Sequence, residues 1–160
     1  MKNKKIITVA IDSPAAAGAG TQAKLIAKNY NLFHLDTGKI YRYIGYLRLK
    51  QRKKFTYKFI QNKIKLLKIK NLKDKKLLTD ETATSASIIA KDLRIRKIVH
   101  KFQQKCAYHP PKIYRGSVLD GRDIITIQIN ALQKNNHNQS PDAPHQPIDR
   151  NNTDVHRHLT

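Results

Sequence analysis

The chain of 160 residues is long enough for one domain with a real hydrophobic core and too short for two ordinary ones. Its hydrophobic fraction of 39% lies above the disordered range, and the longest apolar runs, such as residues 6–11, are far too short to cross a bilayer. A formal charge of +21 suits a polyanion partner (nucleotide, nucleic acid or acidic membrane surface), although Lys, Ile and Asn abound together as an AT-rich coding bias alone would produce. Lysines at 2, 4 and 5 precede an apolar run that ends in Asp12 without a small-residue cleavage site, so a signal peptide is not expected and a cytoplasmic location is. The single cysteine, Cys106, can make no internal disulfide, and a buried or idle thiol is expected.

In chain order, residues 6–12 form a β-branched apolar run, predicted as a strand buried on both faces of a parallel sheet. The small-residue turn 13–20 follows. Residues 21–30 then carry Ala23, Ile26, Ala27 and Tyr30 at helical spacing, with Asn31 placed to close the helix. Residues 32–36 read as a second strand, completing a β-loop-α-β unit with a right-handed crossover, and 39–49 as a second helix. From 48 to 76 the chain is lysine-rich, with Phe55, Phe59, Ile60, Ile64 and Leu67 spaced for one helical face and the lysines as a solvated other face. One longer helix is predicted from about 83 to 106, its apolar side supplied by Ile88, Ile89, Ile95, Ile98, Val99 and Phe102, and ended by Pro110-Pro111. Residues 117–120 give a third strand running into Gly121-Arg122-Asp123. After about Thr126 the chain is crowded with Asn, Gln, His, Pro and Asp, shows no periodicity, and is expected to be disordered.

A strand, a small-residue loop and a helix start together make an anion cradle, because backbone N–H groups converge there and the helix dipole favours negative charge. Laid on the phosphate-loop string G-x-x-x-x-G-K-[ST], the register gives Ser13 for the first Gly, Gly18 for the second, Ala19 for the Lys and Gly20 for the Ser/Thr, followed by Thr21. On the string alone this is an ordinary strand-to-helix turn.

The neighbours carry more. Asp12-Ser13-Pro14-Ala15-Ala16-Ala17-Gly18-Ala19-Gly20-Thr21-Gln22-Ala23-Lys24-Leu25 resembles the D-G-P-x-x-x-G-K-G-T-x-A-K-L opening of bacterial cytidylate kinases, and its Gly-Thr-Gln-Ala also looks like adenylate kinase. Leu35-Asp36-Thr37-Gly38-Lys39-Ile40-Tyr41-Arg42 is similar to the cytidylate family's L-D-[ST]-G-x-x-Y-R, and Asp120-Gly121-Arg122-Asp123-Ile124 to its D-G-R-D-[IM]. Ala86-Ser87-Ile88-Ile89-Ala90 followed by Arg94-Ile95-Arg96 resembles its A-S-x-x-A…R-x-R segment. The four motifs stand in the family's order over roughly residues 6–125.

That resemblance implies an α/β, three-layer phosphate-loop nucleoside monophosphate kinase fold with a central parallel sheet, incomplete at its C-terminal side. It implies a kinase core over 1–125, including a lysine-rich helical acceptor-binding segment at about 45–110, and a tail over 126–160. The implied reaction is transfer of the terminal phosphoryl group of ATP, with Mg²⁺, to CMP or dCMP. Residues 13–21 would hold ATP, with the Thr21 hydroxyl near the phosphates or the metal. Asp36, Thr37 and Arg42 would stand near the acceptor monophosphate, Ser87, Arg122 and Asp123 toward cytosine or sugar, and Arg96 toward the phosphates. Thr21, Arg122 and Asp123 would take part in catalysis. The residue types suit the task, since guanidinium forks pair two phosphate or carbonyl oxygens and Asp with Ser can read the exocyclic amine of cytosine. Taken singly, Asp36 and Arg42 also read as a helix cap and a surface cation, and Asp120 with Arg122 as a strand-end ion pair.

Two departures stand out. Ala19 replaces the phosphate-loop lysine, which argues for slow turnover unless another cation such as Lys39 reaches in. Beyond Ile124 the apolar strand and paired arginines of the family's lid are absent, which a frameshifted or truncated reading frame would explain. His137, His145, His156 and His158 match no zinc spacing, so no metal site is expected in the tail. The expected partners are small nucleotides, with no membrane, no nucleic acid and a monomeric state. The competing reading is a non-catalytic basic protein that binds nucleotides or RNA through its lysines.

Overall fold

The computed structural model describes residues 6–12 and 18–121. Among these, three parallel strands form one sheet: β1 (Ile7–Asp12), β2 (Phe33–Asp36) and β3 (Gly116–Gly121), in the order β1-β3-β2. Ile11 of β1 and Asp36 of β2 both sit opposite Asp120, so the carboxyl ends of all three strands share one edge. β3 lies in the middle and is buried from Gly116 to Asp120. β1, expected to be buried on both faces, is only partly so: Val9, Ala10 and Ile11 are half-buried and Ile7 is exposed. The reason is its position at the sheet margin, with β3 as its sole strand neighbour among the described residues.

Strand alternation sends successive side chains to opposite faces and so builds two cores. On one face Val9, Ile11 and Val118 pack with Ala23, Ala27 and Leu32, beneath α1 (Ala19–Tyr30). On the other Ala10, Leu35 and Leu119 join Ile40, Ile44, Ile60, Ile64, Ile89, Ile95 and Val99. Those come from α2 (Gly38–Lys50), α3 (Tyr57–Lys65), α4 (Asp80–Ile89) and α5 (Leu93–Tyr108). Helices therefore cover both faces of a parallel sheet, in three layers, as in a phosphate-loop nucleoside monophosphate kinase fold. Each fully buried Ile or Val of this core contributes about 1.5–3 kcal/mol through area removed from water.

Helix ends follow local chemistry. α1 starts at Gly18, whose φ of 80° lies in the left-handed region that glycine enters at no steric cost, and it stops at Asn31 with φ 53°. Thr56 and Thr79 cap α3 and α4 by accepting from the backbone N–H of Phe59 and Thr82, and Asp80 and Glu81 favour the positive start of α4. At the far end of α5 the Ala107 carbonyl accepts from Ser117 Oγ at 2.7 Å and Thr8 Oγ1 at 3.3 Å, which ties the last turn to β3 and β1.

The single helix expected over 83–106 is two. Asp92 breaks it: its Oδ1 accepts from the backbone N–H groups of Arg94 at 2.8 Å and Ile95 at 3.1 Å, so a new helix begins where the apolar pattern runs on. Ile88, expected on the apolar side, is consequently exposed, as is Tyr30. The lysine-rich stretch is broken as well, into α3 and 3-10 turns at Arg52–Lys54, Ile69–Lys73 and Lys75–Leu78, with Ile60, Ile64 and Leu67 buried as expected. No helix among the described residues is long and apolar enough to cross a membrane.

Candidate functional site

In an open α/β sheet ligands bind beyond the carboxyl ends of the strands, where loops and helix starts converge. Here that edge gathers the end of β1 at Asp12, the start of α1 at Gly18–Gly20, the β2-to-α2 junction at Asp36–Lys39, and the end of β3 at Asp120–Gly121. The backbone N–H groups of Thr21 and Gln22 bond to the Gly18 carbonyl at 3.0 and 3.1 Å, closing the first turn of α1. Among the described residues no side chain caps that helix and no acidic residue stands in its first turn, and a helix start of this kind favours an anion. Thr21 is exposed at this end.

Asp120 is the centre of the edge. It is 8% exposed, its Oδ1 accepts from His34 Nε2 at 2.6 Å, and its Oδ2 lies 3.3 Å from where a Cβ on Gly20 would sit. A side chain at position 20 would crowd that carboxylate, so glycine there permits α1 and β3 to approach. The contact has a register origin: Val118 sits opposite His34, and residues 118 and 120 share the α1 face of the sheet. Asp120 is thus held by a histidine from the neighbouring strand, and Arg122, its alternative ion-pair partner, lies outside the described residues. Sequence reasoning missed His34, though a polar residue inside the Phe-His-Leu-Asp strand on the alternation of Asp120 was the available signal.

Thr37 is buried, and both its backbone N–H, at 3.0 Å, and its hydroxyl, at 2.9 Å, donate to the Asp120 carbonyl. Its hydroxyl proton is therefore spent on fastening β2 to β3. Asp36 lies 3.6 Å from Lys39 Nζ, a partly exposed pair worth about 0–1 kcal/mol. Lys39 accordingly stands on the binding edge with a local partner. Arg42, on α2, donates from Nη1 to the Leu77 carbonyl at 3.0 Å, which fixes the guanidinium.

Ser87 is exposed on α4 with its hydroxyl returned to the Thr84 carbonyl at 2.8 Å, and Arg96 is half-buried on α5. The structure thus joins Gly18, Ala19, Gly20, Asp36 and Thr37 at the strand ends, and sets Arg42, Ser87 and Arg96 on the helices of the opposite layer. Ser13 to Ala17, Arg122 and Asp123, and the tail after 126 lie outside the described residues.

Mg²⁺ prefers hard oxygen donors, one or two from the protein and the rest from phosphates and water. Asp120 Oδ2 and the Thr21 hydroxyl are donors of that kind beside the start of α1, and no group of three or more potential ligands occurs among the described residues. Such a sparse set fits a cation that arrives with a phosphate ligand.

Comparison with known proteins gives the family. The family model for cytidylate kinase matches residues 9–133. The chain is 38% identical over 120 residues to a cytidylate kinase of Bradyrhizobium diazoefficiens, covering 74% of this chain and 55% of that protein. It is 37% identical to one of Rhodospirillum rubrum, covering 74% and 56%, and 41% identical over 130 residues to one of Bartonella tribocorum, covering 77% and 56%. The chain spans a little over half the length of these relatives.

Proposed function

Since the chain belongs to the cytidylate kinase family, we propose that its strand-end edge binds a nucleotide phosphate and that its ancestral reaction is transfer of the terminal phosphoryl group of ATP to CMP or dCMP. The observation that carries the proposal is the junction of an α1 start with no side-chain cap among the described residues, Gly18 in the left-handed conformation, and the Asp120 carboxylate held beside Gly20. Phosphoryl transfer asks mainly for positioning and charge neutralisation, and the proposal assigns the positioning to this edge.

In this reading the α1 start receives the donor phosphates through backbone N–H groups and the helix dipole. Mg²⁺, held by Asp120 and Thr21 together with the phosphates, would neutralise charge on the donor. Arg42, braced by the Leu77 carbonyl, orients the acceptor phosphate as a fixed guanidinium. Thr37 acts by locking the β2 end to Asp120, since its proton is already engaged. Ser87 and Arg96 face the acceptor from the helical layer, and Arg122 and Asp123 complete the cytosine or sugar contacts. Residues 1–125 form the kinase core of this proposal, with 45–110 as the acceptor-binding segment. The enzyme works as a cytoplasmic monomer on small nucleotides.

Ala19 leaves the transferring phosphates without the lysine of the usual loop, so turnover is slow. Coupled ADP release with CMP, dCMP, UMP and AMP as acceptors tests the proposal. Cytidine acceptors should exceed the other two, whereas equal or absent transfer to all four would overturn the assignment of substrate.

A further inference from the structure

Away from the strand ends, α3 and α5 enclose a groove of about 270 Å³. Its floor is apolar: Ile64 is buried, and Ile98 and Phe102 are half-buried. Its rim is cationic, with Lys65 on α3 facing Lys97, Lys101 and Lys105 on α5. The three α5 lysines follow at spacings of four, so each is the nearest same-face neighbour of the next, and like charges so placed repel. Lys105 gains from the negative end of α5, but Lys97 and Lys101 sit in the helix body and gain nothing from it. None of the four is in an ion pair, and no acidic side chain lines the groove, among the described residues.

A charge run that served only as a solvated face would need no hollow beneath it. An apolar pocket alone would need no ring of cations. We propose that this groove is a second ligand site, for a small molecule that joins an apolar or aromatic body to two or more negative charges, the chemistry of a nucleoside di- or triphosphate. A base fits the Ile64, Ile98 and Phe102 floor, and its phosphates relieve the repulsion among Lys97, Lys101 and Lys105. A singly charged amphiphile leaves most of that repulsion standing, and a bare polyphosphate leaves the floor wet. None of its residues belongs to the strand-end edge, although its two helices lie within the 45–110 segment, so a variant at the start of α1 is needed to tell the groove from the kinase site.

The chain has no tryptophan, so Phe102→Trp in the full-length protein gives a unique reporter in the floor, and Gln61→Trp on the rim gives a second should the first fail to fold. ATP, pyrophosphate and decanoate are titrated against tryptophan emission. The expected result is saturable change with ATP at a concentration at least tenfold below that for either control, a further tenfold weakening in Lys97→Gln/Lys101→Gln, and no weakening in Thr21→Asp, which sets a carboxylate where the start of α1 would take the donor phosphates. Equal binding of pyrophosphate would reduce the groove to a charge patch, and equal binding of decanoate to an apolar one. Either result, no response to ATP, indifference to the lysine changes, or loss of the signal in Thr21→Asp overturns the proposal.

Discussion

His34 Nε2 lies 2.6 Å from Asp120 Oδ1, joining two residues 86 positions apart at the end of the sheet where the α1 helix begins. A carboxylate accepts only, so the imidazole donates from Nε2. A hydrogen bond to a charged group contributes about 1.5–3 kcal/mol, and both side chains are largely shielded from water. His34→Phe should therefore lower unfolding free energy by about 1–3 kcal/mol in urea titration. His34→Gln, which keeps a donor, should lose less. Equal losses would show that the ring's packing, and not its hydrogen bond, is what matters.

Gly45 places α2 against α4 at backbone contact. A Cβ there would meet Ala86 N and Thr82 O at 2.9 Å, both main-chain atoms of a helix that cannot swing aside, and Ser85 Oγ already bonds to the Gly45 carbonyl at 3.2 Å. Gly45→Ala is expected to cost about 1–3 kcal/mol through overpacking, against the gain in helix propensity that alanine usually brings. Thermal unfolding checks it; a stabilised variant would contradict the packing described.

His100 on α5 has its Nε2 buried without a hydrogen-bond partner among the described residues, and burial, reinforced by the nearby Arg96 charge, pushes its pKa below the ordinary histidine value. A base with a depressed folded pKa binds fewer protons folded than unfolded, so its share of stability is complete above the unfolded pKa and declines as pH falls below it. The urea midpoint should drop between pH 7.5 and 5.5, and His100→Phe should flatten that slope. An unchanged slope in the variant would assign the pH response to other groups.

Ala19 occupies the first position of α1, where the family's string has lysine. Ala19→Lys is expected to raise ATP turnover roughly ten- to a hundredfold, the range of one charge-assisted contact on the transferring phosphates. Turnover unchanged in a phosphoryl-transfer assay would contradict the register that sets Gly18 and Ala19 at the phosphate loop.

The strands and the first two helices were legible because their boundaries are set by local chemistry: small residues at 13–20, Asn31 in the left-handed conformation, and apolar runs ending in Asp. The break at residues 90–92 was hidden, since the apolar spacing from Ile88 to Phe102 continues across it and only the capping capacity of Asp92 marks it. The loop and strand motifs fall at the strand-end edge. They could not show that Thr37 spends its hydroxyl on the Asp120 carbonyl or that His34 reaches Asp120, because those contacts depend on strand order β1-β3-β2, a long-range property. The α3–α5 groove was invisible for the same reason: Lys65 read as part of a solvated face, and only the packing of α3 on α5 brings it to one rim with Lys97, Lys101 and Lys105.

The most direct test of the binding edge is a backbone amide NMR titration of the full chain with ATP and Mg²⁺, then with CMP. The account predicts saturable shifts concentrated at Gly18–Thr21, Asp36–Lys39 and Asp120–Gly121, with CMP extending them to Arg42 and Ser87. Unshifted resonances at all of these positions under millimolar nucleotide would contradict it.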